Sequence, residues 1–422
     1  METDPWALHP CRPGADPWSL PLAQFDLSNP RLYAEGVWHP FFARLRQQEP
    51  VHYCAESPFG PYWSVTRFRD IQEVESQHAL FSSEPTVLLG NPPRDFYLQP
   101  GFIAMDPPRH TLTRAAAQPA VGVANLGLLE PLIRERAVAI LDALPLGVEF
   151  DWVERVAVEL TTQMLATLFD FPLEQRHLLT HWSDVATSSP RQPGPLRITP
   201  EEWRQSMREC LEVFTGLWNE RAARPPRQPL DLVSLLAQHP ATCAMTPMEY
   251  LGNLLLLIVG GNDTTRHSLT GGVLALHENP EQLAKLHAEP GLVASLVPEI
   301  IRWQTPLAYM RRTATADCEL AGRRIRAGEK VLLWYLSGNR DASEIPDADL
   351  FIVDRARPRH HLSFGFGIHR CMGNRLAEMQ LRIVWEEILR RFRRIEVCGP
   401  PQRVMSCFVH GFERLPVRVH GL

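Results

Sequence analysis

Apolar positions in this chain recur mostly at helical spacing, and the longest such stretch lies past its middle. Thr246-Pro247-Met248-Glu249 combines a capping box with proline at the first helical position. Leu251, Leu254, Leu255, Ile258 and Val259 follow at helical offsets, with Leu256 and Leu257 filling the other side. The pattern predicts a buried helix, apolar all round, that runs to about His277 and stops at Asn279-Pro280. At the helical rise it would span about 45–50 Å, enough to cross a large domain. A second helix follows residues 364–373, with Leu381, Trp385, Ile388, Leu389 and Phe392 on one face. Residues 123–222 are mostly helical, with breaks at Pro145, around Pro172 and over 188–200. Shorter runs predict a helix at 41–48, strands at 51–54, 62–66 and 330–336, a hairpin over 318–325 about Ala321-Gly322, and a hairpin over 405–419 turning at Gly411. Five prolines make residues 1–24 an irregular arm, and 25–422 reads as one mainly α domain with small β-sheets (α+β).

Two stretches break these local rules. Gly260-Gly261-Asn262-Asp263-Thr264-Thr265 sets paired glycines and a charge inside the apolar helix, where glycine weakens it and an unpaired charge is costly. Such conflicts mark a functional site; the alternative is a structural Asp263 paired with Arg266. The second is Phe364-Gly365-Phe366-Gly367-Ile368-His369-Arg370-Cys371-Met372-Gly373. Its glycines allow sharp turns and close approach to a large flat ligand. Cys371 lies near the start of the next helix, where free N–H groups favour a thiolate. A thiolate in an apolar pocket is what axial ligation of a haem iron requires. A zinc site from His360, His361, His369 and Cys371 is the alternative, but it lacks the paired spacing of structural zinc sites.

Composition narrows the class. The chain has 422 residues, 45% hydrophobic and 22% charged, and a net charge of −5, which gives no bulk basic character for nucleic acid. Its eight cysteines are scattered without a CxxC pair, the first 25 residues hold no apolar signal-peptide core, and no apolar run is long enough to span a bilayer. The expectation is a reduced, cytoplasmic, bacterial-style soluble protein.

The spacing Phe364-x-x-Gly367-x-His369-x-Cys371-x-Gly373 resembles the haem-binding loop of the cytochrome P-450 superfamily, the haem-thiolate monooxygenases. That resemblance covers residues from about 25 to 420 in the family's order. It implies the P-450 fold, with a long central helix over haem b and Cys371 as the thiolate ligand of its iron. His110 and Arg114, four apart on one helix face, fall where the family holds a haem propionate, and Arg312 and His361 fall at further propionate positions. Gly260–Thr265 resembles the oxygen-binding groove, which makes Asp263 and Thr264 the proton-delivery pair for bound O2. Glu299, Arg302 and Arg355 match a structural triad that serves folding rather than catalysis.

Several stretches, at 59–67, 102–108, 260–266, 298–306, 334–340 and 354–374, resemble one bacterial group, the medium-chain alkane and fatty-acid ω-hydroxylases. The implied activity is hydroxylation of a terminal carbon. Relatives acting on sterol side chains or terpenes share part of these motifs and remain the alternative. Residues 84–103 read as a loop that lines a hydrophobic cavity, and 188–200 as a lid over the channel. The implied channel residues are Leu88, Leu89, Phe102, Leu256, Val259, Gly260, Leu307, Met310 and Phe408. No flavin or iron–sulfur motif is present, so electrons from NAD(P)H must arrive through a ferredoxin reductase and an acidic ferredoxin, docking against Arg109, Arg370, Arg375 or Arg382. A haem sensor or carrier has no need of a buried Asp-Thr pair. A peroxide-driven peroxygenase dispenses with the alcohol at position 264.

Overall fold

The computed structural model describes residues 6–91, 101–188, 196, 198–225 and 227–422. The N-terminal part forms α1 (Arg31–Ala34), α2 (His39–Gln48), β1 (Val51–Cys54), β2 (Tyr62–Val65), α3 (Phe68–Ser76) and β3 (Phe81–Ser82). A helical block follows: α4 (Arg109–Ala117), α5 (Val123–Asp142), then short β4 (Glu149–Asp151), α6 (Glu159–Phe169), α7 (His177–Thr187), α8 (Pro200–Ala222), α9 (Leu232–Gln238) and α10 (Pro247–Glu278). After α11 (Pro280–Ala288) and α12 (Val293–Gln304) come β5 (Met310–Ala314), the hairpin β6 (Cys318–Leu320) and β7 (Arg323–Ile325), β8 (Lys330–Leu333) and α13 (Tyr335–Gly338). The chain closes with α14 (Asn374–Arg391), β9 (Phe392–Val397), β10 (Gln402–Arg403), β11 (Phe412–Arg414) and β12 (Pro416–Gly421).

Helix α10 is the axle, and it starts and stops where its sequence dictates. The Glu249 N–H donates to Thr246 Oγ1 (3.3 Å) while the Thr246 N–H donates back to the Glu249 carboxylate (2.9 Å), so two helix-start donors are satisfied reciprocally. Around it the largest core brings together α5, α6, α7, α12 and α14. Gly272 permits the close crossing with α12 and α14: a Cβ there would lie 2.7 Å from Ile300 and 2.9 Å from Trp385. A second core lies under the five-stranded sheet β1-β2-β8-β5-β3, in which β2 and β8 run parallel with Trp63 opposite Val331. A third, rich in aromatic residues, gathers Phe25, Tyr33, Trp38, Phe42, Tyr309 and Trp334. Among the described residues no helix is long and apolar enough to cross a membrane.

Some expectations change. The strand expected over 330–336 ends at Leu333, because Trp334 leaves extended geometry (ψ 84°) and the chain turns into α13. The C-terminal hairpin is β10 with β11, closed by the Val404 N–H on the Gly411 carbonyl (3.0 Å). The alternation beyond Leu415 belongs to β12, which instead pairs with β9 and β4. Phe392, expected on the last helix, opens β9. The lid expected over 188–200 lies largely, and the loop over 84–103 partly, outside the described residues, which omit 189–195, 197 and 92–100.

Candidate active site

The cysteine loop is fixed by its backbone. Gly365 and Gly367 have φ of 67° and 65°, a region that strains residues bearing Cβ, and a Cβ on Gly367 would also collide with the Glu75 carbonyl. The Cys371 N–H donates to the Phe364 carbonyl (2.7 Å), and the Phe366 N–H donates to Glu75 Oε2 (2.7 Å). Gly373 differs: its φ is −87° and nothing lies within 4 Å of a Cβ placed there, so what it leaves free is space in front of the loop. Desolvation pushes the Cys371 thiol up, against the Gly373 N–H and the Arg114 and Arg370 guanidiniums that pull it down. Burial thus outweighs the helix start that favours a thiolate, and in the chain alone the sulfur is held toward the neutral thiol.

Beside the loop, His110 on α4 stands with its ring 4.2 Å from that of His369. Both nitrogens of His110 and Nε2 of His369 are buried without a partner. Desolvation pushes His110 down to about 4 and His369 to about 2, with Arg114 and Arg312 adding to both shifts. Arg114 donates to the Arg370 carbonyl (2.6 Å), and Arg312 on β5 donates to Glu75 (3.2 Å). His361 lies 5.5 Å from Phe364, ring to ring, and desolvation takes it to about 3. Unpartnered ring nitrogens and guanidiniums converging beside a cysteine, with Gly373 clear in front, fit a large prosthetic group carrying carboxylates. Among the described residues no group of three His, Cys, Asp or Glu side chains is placed to hold a metal ion, which removes the zinc alternative.

The second wall is α10, and here the all-round burial expected from sequence is wrong. Leu256, Val259 and Thr264 are only half-buried and Gly260 is exposed, whereas Ile258, Asn262 and Asp263 are buried. A Cβ on Gly260 would meet nothing within 4 Å, but one on Gly261 would lie 2.8 Å from Leu165 of α6. One stripe, 256–260–264, therefore borders open space, and Thr264 Oγ1 on that stripe donates to the Gly260 carbonyl (3.0 Å). Gly101 packs against this helix, since a Cβ on it would lie 2.7 Å from the Gly252 carbonyl and 2.9 Å from Leu256. Phe102 is tied by its N–H to Asn253 Oδ1 (3.0 Å), and its ring lies 6.5 Å from that of His110. It links the two walls.

Of the other channel residues, Leu88, Leu307 and Phe408 are half-buried, and the Ala308 N–H on the Phe408 carbonyl (2.8 Å) holds the last two segments side by side. Met310 is buried in the second core, with Leu307 and Phe408 against it. Leu89 is a correction: it is fully buried in the third core, its N–H on the Tyr309 hydroxyl (3.0 Å), and lines no open space. Arg109 and Arg382 are engaged by Glu249 and by Glu130 and Glu386, while Arg370 and Arg375 are exposed with no ion pair among the described residues.

Asp263 shows the structural pairing and an unmet need together. Its Oδ1 accepts from Arg266 (2.9 Å) and Ser183 (3.0 Å), while Oδ2 is buried without a partner. Arg266 also reaches Asp184 (3.2 Å). Desolvation pushes Asp263 up to about 6, opposed by Arg266 and Ser183 and reinforced by Asp184. Between about pH 4 and 6 the folded chain then holds a proton that the unfolded chain has released, so stability falls as pH rises through that window. Asp263→Asn has nothing to titrate there. The stability difference, parent minus variant, is expected to decline from pH 4 to 6 in urea titrations; a difference independent of pH would show that Asp263 titrates normally.

Farther off, Glu299 takes Arg302 in two bonds of 2.7 Å and Arg355 in bonds of 3.0 and 3.2 Å, all three side chains buried. Arg302 also donates to the carbonyls of Asn339, Ala348 and Leu350. Sequence reasoning missed Glu75, Ser183 and Asp184. Glu75 carried a signal: it shares the buried α3 face with Phe68 and Ile71, where an apolar residue belongs.

The profile of a family described as "Cytochrome P450" matches residues 65–406. Linalool 8-monooxygenase of Pseudomonas putida is 38% identical over 93% of this chain and 98% of its own. The methyl-branched lipid omega-hydroxylase of Mycobacterium tuberculosis is 30% identical over 96% of each. Among solved structures, cytochrome P450-153 from Novosphingobium aromaticivorans is 44% identical with a TM-score of 0.87, over 96% of this chain and 100% of that one. CYP153D17 from Sphingomonas sp. PAMC 26605 is 47% identical with a TM-score of 0.88, over 94% and 100%.

Proposed function

The chain belongs to the cytochrome P450 family and is a monooxygenase that uses haem with a cysteine thiolate ligand, O2, and NAD(P)H through redox partners; we propose that it hydroxylates the terminal carbon of linear medium-chain alkanes or fatty acids. When bound, the haem supplies activation of O2 at its iron. Cys371 is the residue to ligate that iron, and His110, His369, Arg114, Arg312 and His361 are the groups to meet its carboxylates. Thr264 presents a hydroxyl on the open stripe, and in this reading Asp263, one residue back with an acidity shifted toward neutrality, resupplies its proton. Leu256, Val259, Phe102, Leu307 and Phe408 orient the chain and exclude water.

The observation that carries this reading is the stripe itself with half-buried Val259 beside it, which offers an alkyl chain leucine, valine and glycine with one hydroxyl and no charge. Support comes from the relative named for ω-hydroxylation of a lipid. A terpene substrate is the second reading, favoured by the relative named for linalool, itself an acyclic molecule. The redox partner in this proposal is an acidic ferredoxin on exposed Arg370 and Arg375, and the compartment is the cytoplasm.

A series of fatty acids and alkanes tests it. Affinity from spectral titration should rise about fourfold per added methylene, following about 0.8 kcal/mol for each buried CH2, until the channel is full. With a surrogate ferredoxin and reductase, the product should be mainly the terminal alcohol. Turnover of a terpene with no turnover of linear chains would replace the first reading by the second.

A further inference from the structure

Glu75 is a buried carboxylate that nothing in the reaction described above uses. It is shared by three distant segments. Oε1 accepts from the Tyr335 hydroxyl of α13 (2.5 Å) and from Arg312 of β5 (3.2 Å), and Oε2 accepts the Phe366 N–H of the cysteine loop (2.7 Å). Its own carbonyl blocks any side chain at Gly367, and its Oε1 lies 3.4 Å from where a Cβ on Gly365 would stand. Removing a carboxylate from water is costly unless it is paired and fully hydrogen-bonded. Three donors meet that need, and both Glu75 and Arg312 are buried.

We propose that Glu75 is a positioning residue that shares the Arg312 guanidinium with a haem carboxylate, anchors the cysteine loop to α3, and sets a fixed negative charge beside the haem. The proposal rests on Arg312 meeting a haem carboxylate. Arg312 balances one anion; with Glu75 and that carboxylate both against it, the cluster carries one net negative charge. A fixed negative charge in a low-dielectric surround favours the more positive, ferric state and so lowers the midpoint potential. The Phe366 bond adds a mechanical role, since the loop that presents Cys371 is pinned five residues upstream.

The test is spectroelectrochemistry on the holoenzyme. Glu75→Gln keeps the shape and one acceptor but removes the charge, and the midpoint potential should move upward. Tyr335→Phe keeps the charge and removes a donor that shields it, so the potential should move downward. Opposite signs distinguish a charge effect from general loosening, which would drive both variants the same way. No shift in Glu75→Gln, or shifts of one sign in both, overturns the proposal. Should Glu75→Gln not fold, the sign in Tyr335→Phe decides alone: downward supports the proposal, unchanged or upward overturns it. Separately, Arg312→Gln should speed haem transfer to an acceptor protein. An unchanged transfer rate would mean that Arg312 does not hold the haem, a failure distinct from that of the Glu75 charge.

Discussion

Glu299→Gln is expected to cost about 3–5 kcal/mol of folding stability, the cost of breaking a buried ion pair by removing one partner. The whole margin of a folded domain is only about 5–15 kcal/mol, so the variant should lose a large part of it and unfold at a much lower urea concentration. The reason is geometric. Both Glu299 oxygens are spent on Arg302 and Arg355, and Oε1 also accepts the Ile352 N–H (2.8 Å). Glutamine supplies one acceptor and an N–H2 that faces the guanidiniums, leaving two buried cations without a counter-charge. Those guanidiniums hold the carbonyls of 339, 346–348 and 350, which staple the segment ahead of the cysteine loop to α12. An exposed pair gives the contrast. Arg204 and Glu201 sit 2.7 Å apart at the surface, and Arg204→Gln should change stability by no more than about 0.5 kcal/mol. Urea midpoints and haem content of both variants check this; a Glu299→Gln protein with the parent's midpoint would refute the assignment to folding.

What the sequence made legible was local. The start of α10 at Thr246-Pro247 and its stop at Asn279-Pro280 depend on neighbours within four residues, and both hold to within a residue. The Ala321-Gly322 turn holds for the same reason, with φ of 48° and 74° at its two residues. The open stripe of α10 was not legible from periodicity, which locates apolar residues without saying which of them lack a neighbour; Leu256, Val259 and Gly260 were expected at the channel only through the family resemblance. Leu256 and Leu254 look alike in sequence, yet only Leu256 borders open space. Leu89 went astray because its partner, Tyr309, is 220 residues away. Glu75 was missed for a related reason: its bonds to Arg312, Tyr335 and Phe366 span 237 to 291 residues. The strand at 330 was overextended because apolar character continues through Leu336 while the backbone turns at Trp334.

The proposed site turns on Cys371. Its amide is tied to Phe364, its sulfur lies by the Gly373 N–H and two arginines, and yet burial pushes the thiol up. In the proposed site an iron stabilises the thiolate against that burial, and removing the sulfur would remove the proposed ligand without disturbing the hydrogen bond from the residue 371 amide that closes the loop. Cys371→Ala is expected to keep the fold, lose more than about 99% of its turnover, and bind haem weakly through the propionate contacts alone. The most direct measurement is the absorption spectrum of the reduced protein under carbon monoxide, parent beside variant. The parent should show the strongly red-shifted Soret band of thiolate ligation and Cys371→Ala should not; a parent without that band, or a Cys371→Ala protein that retains it, would contradict the account.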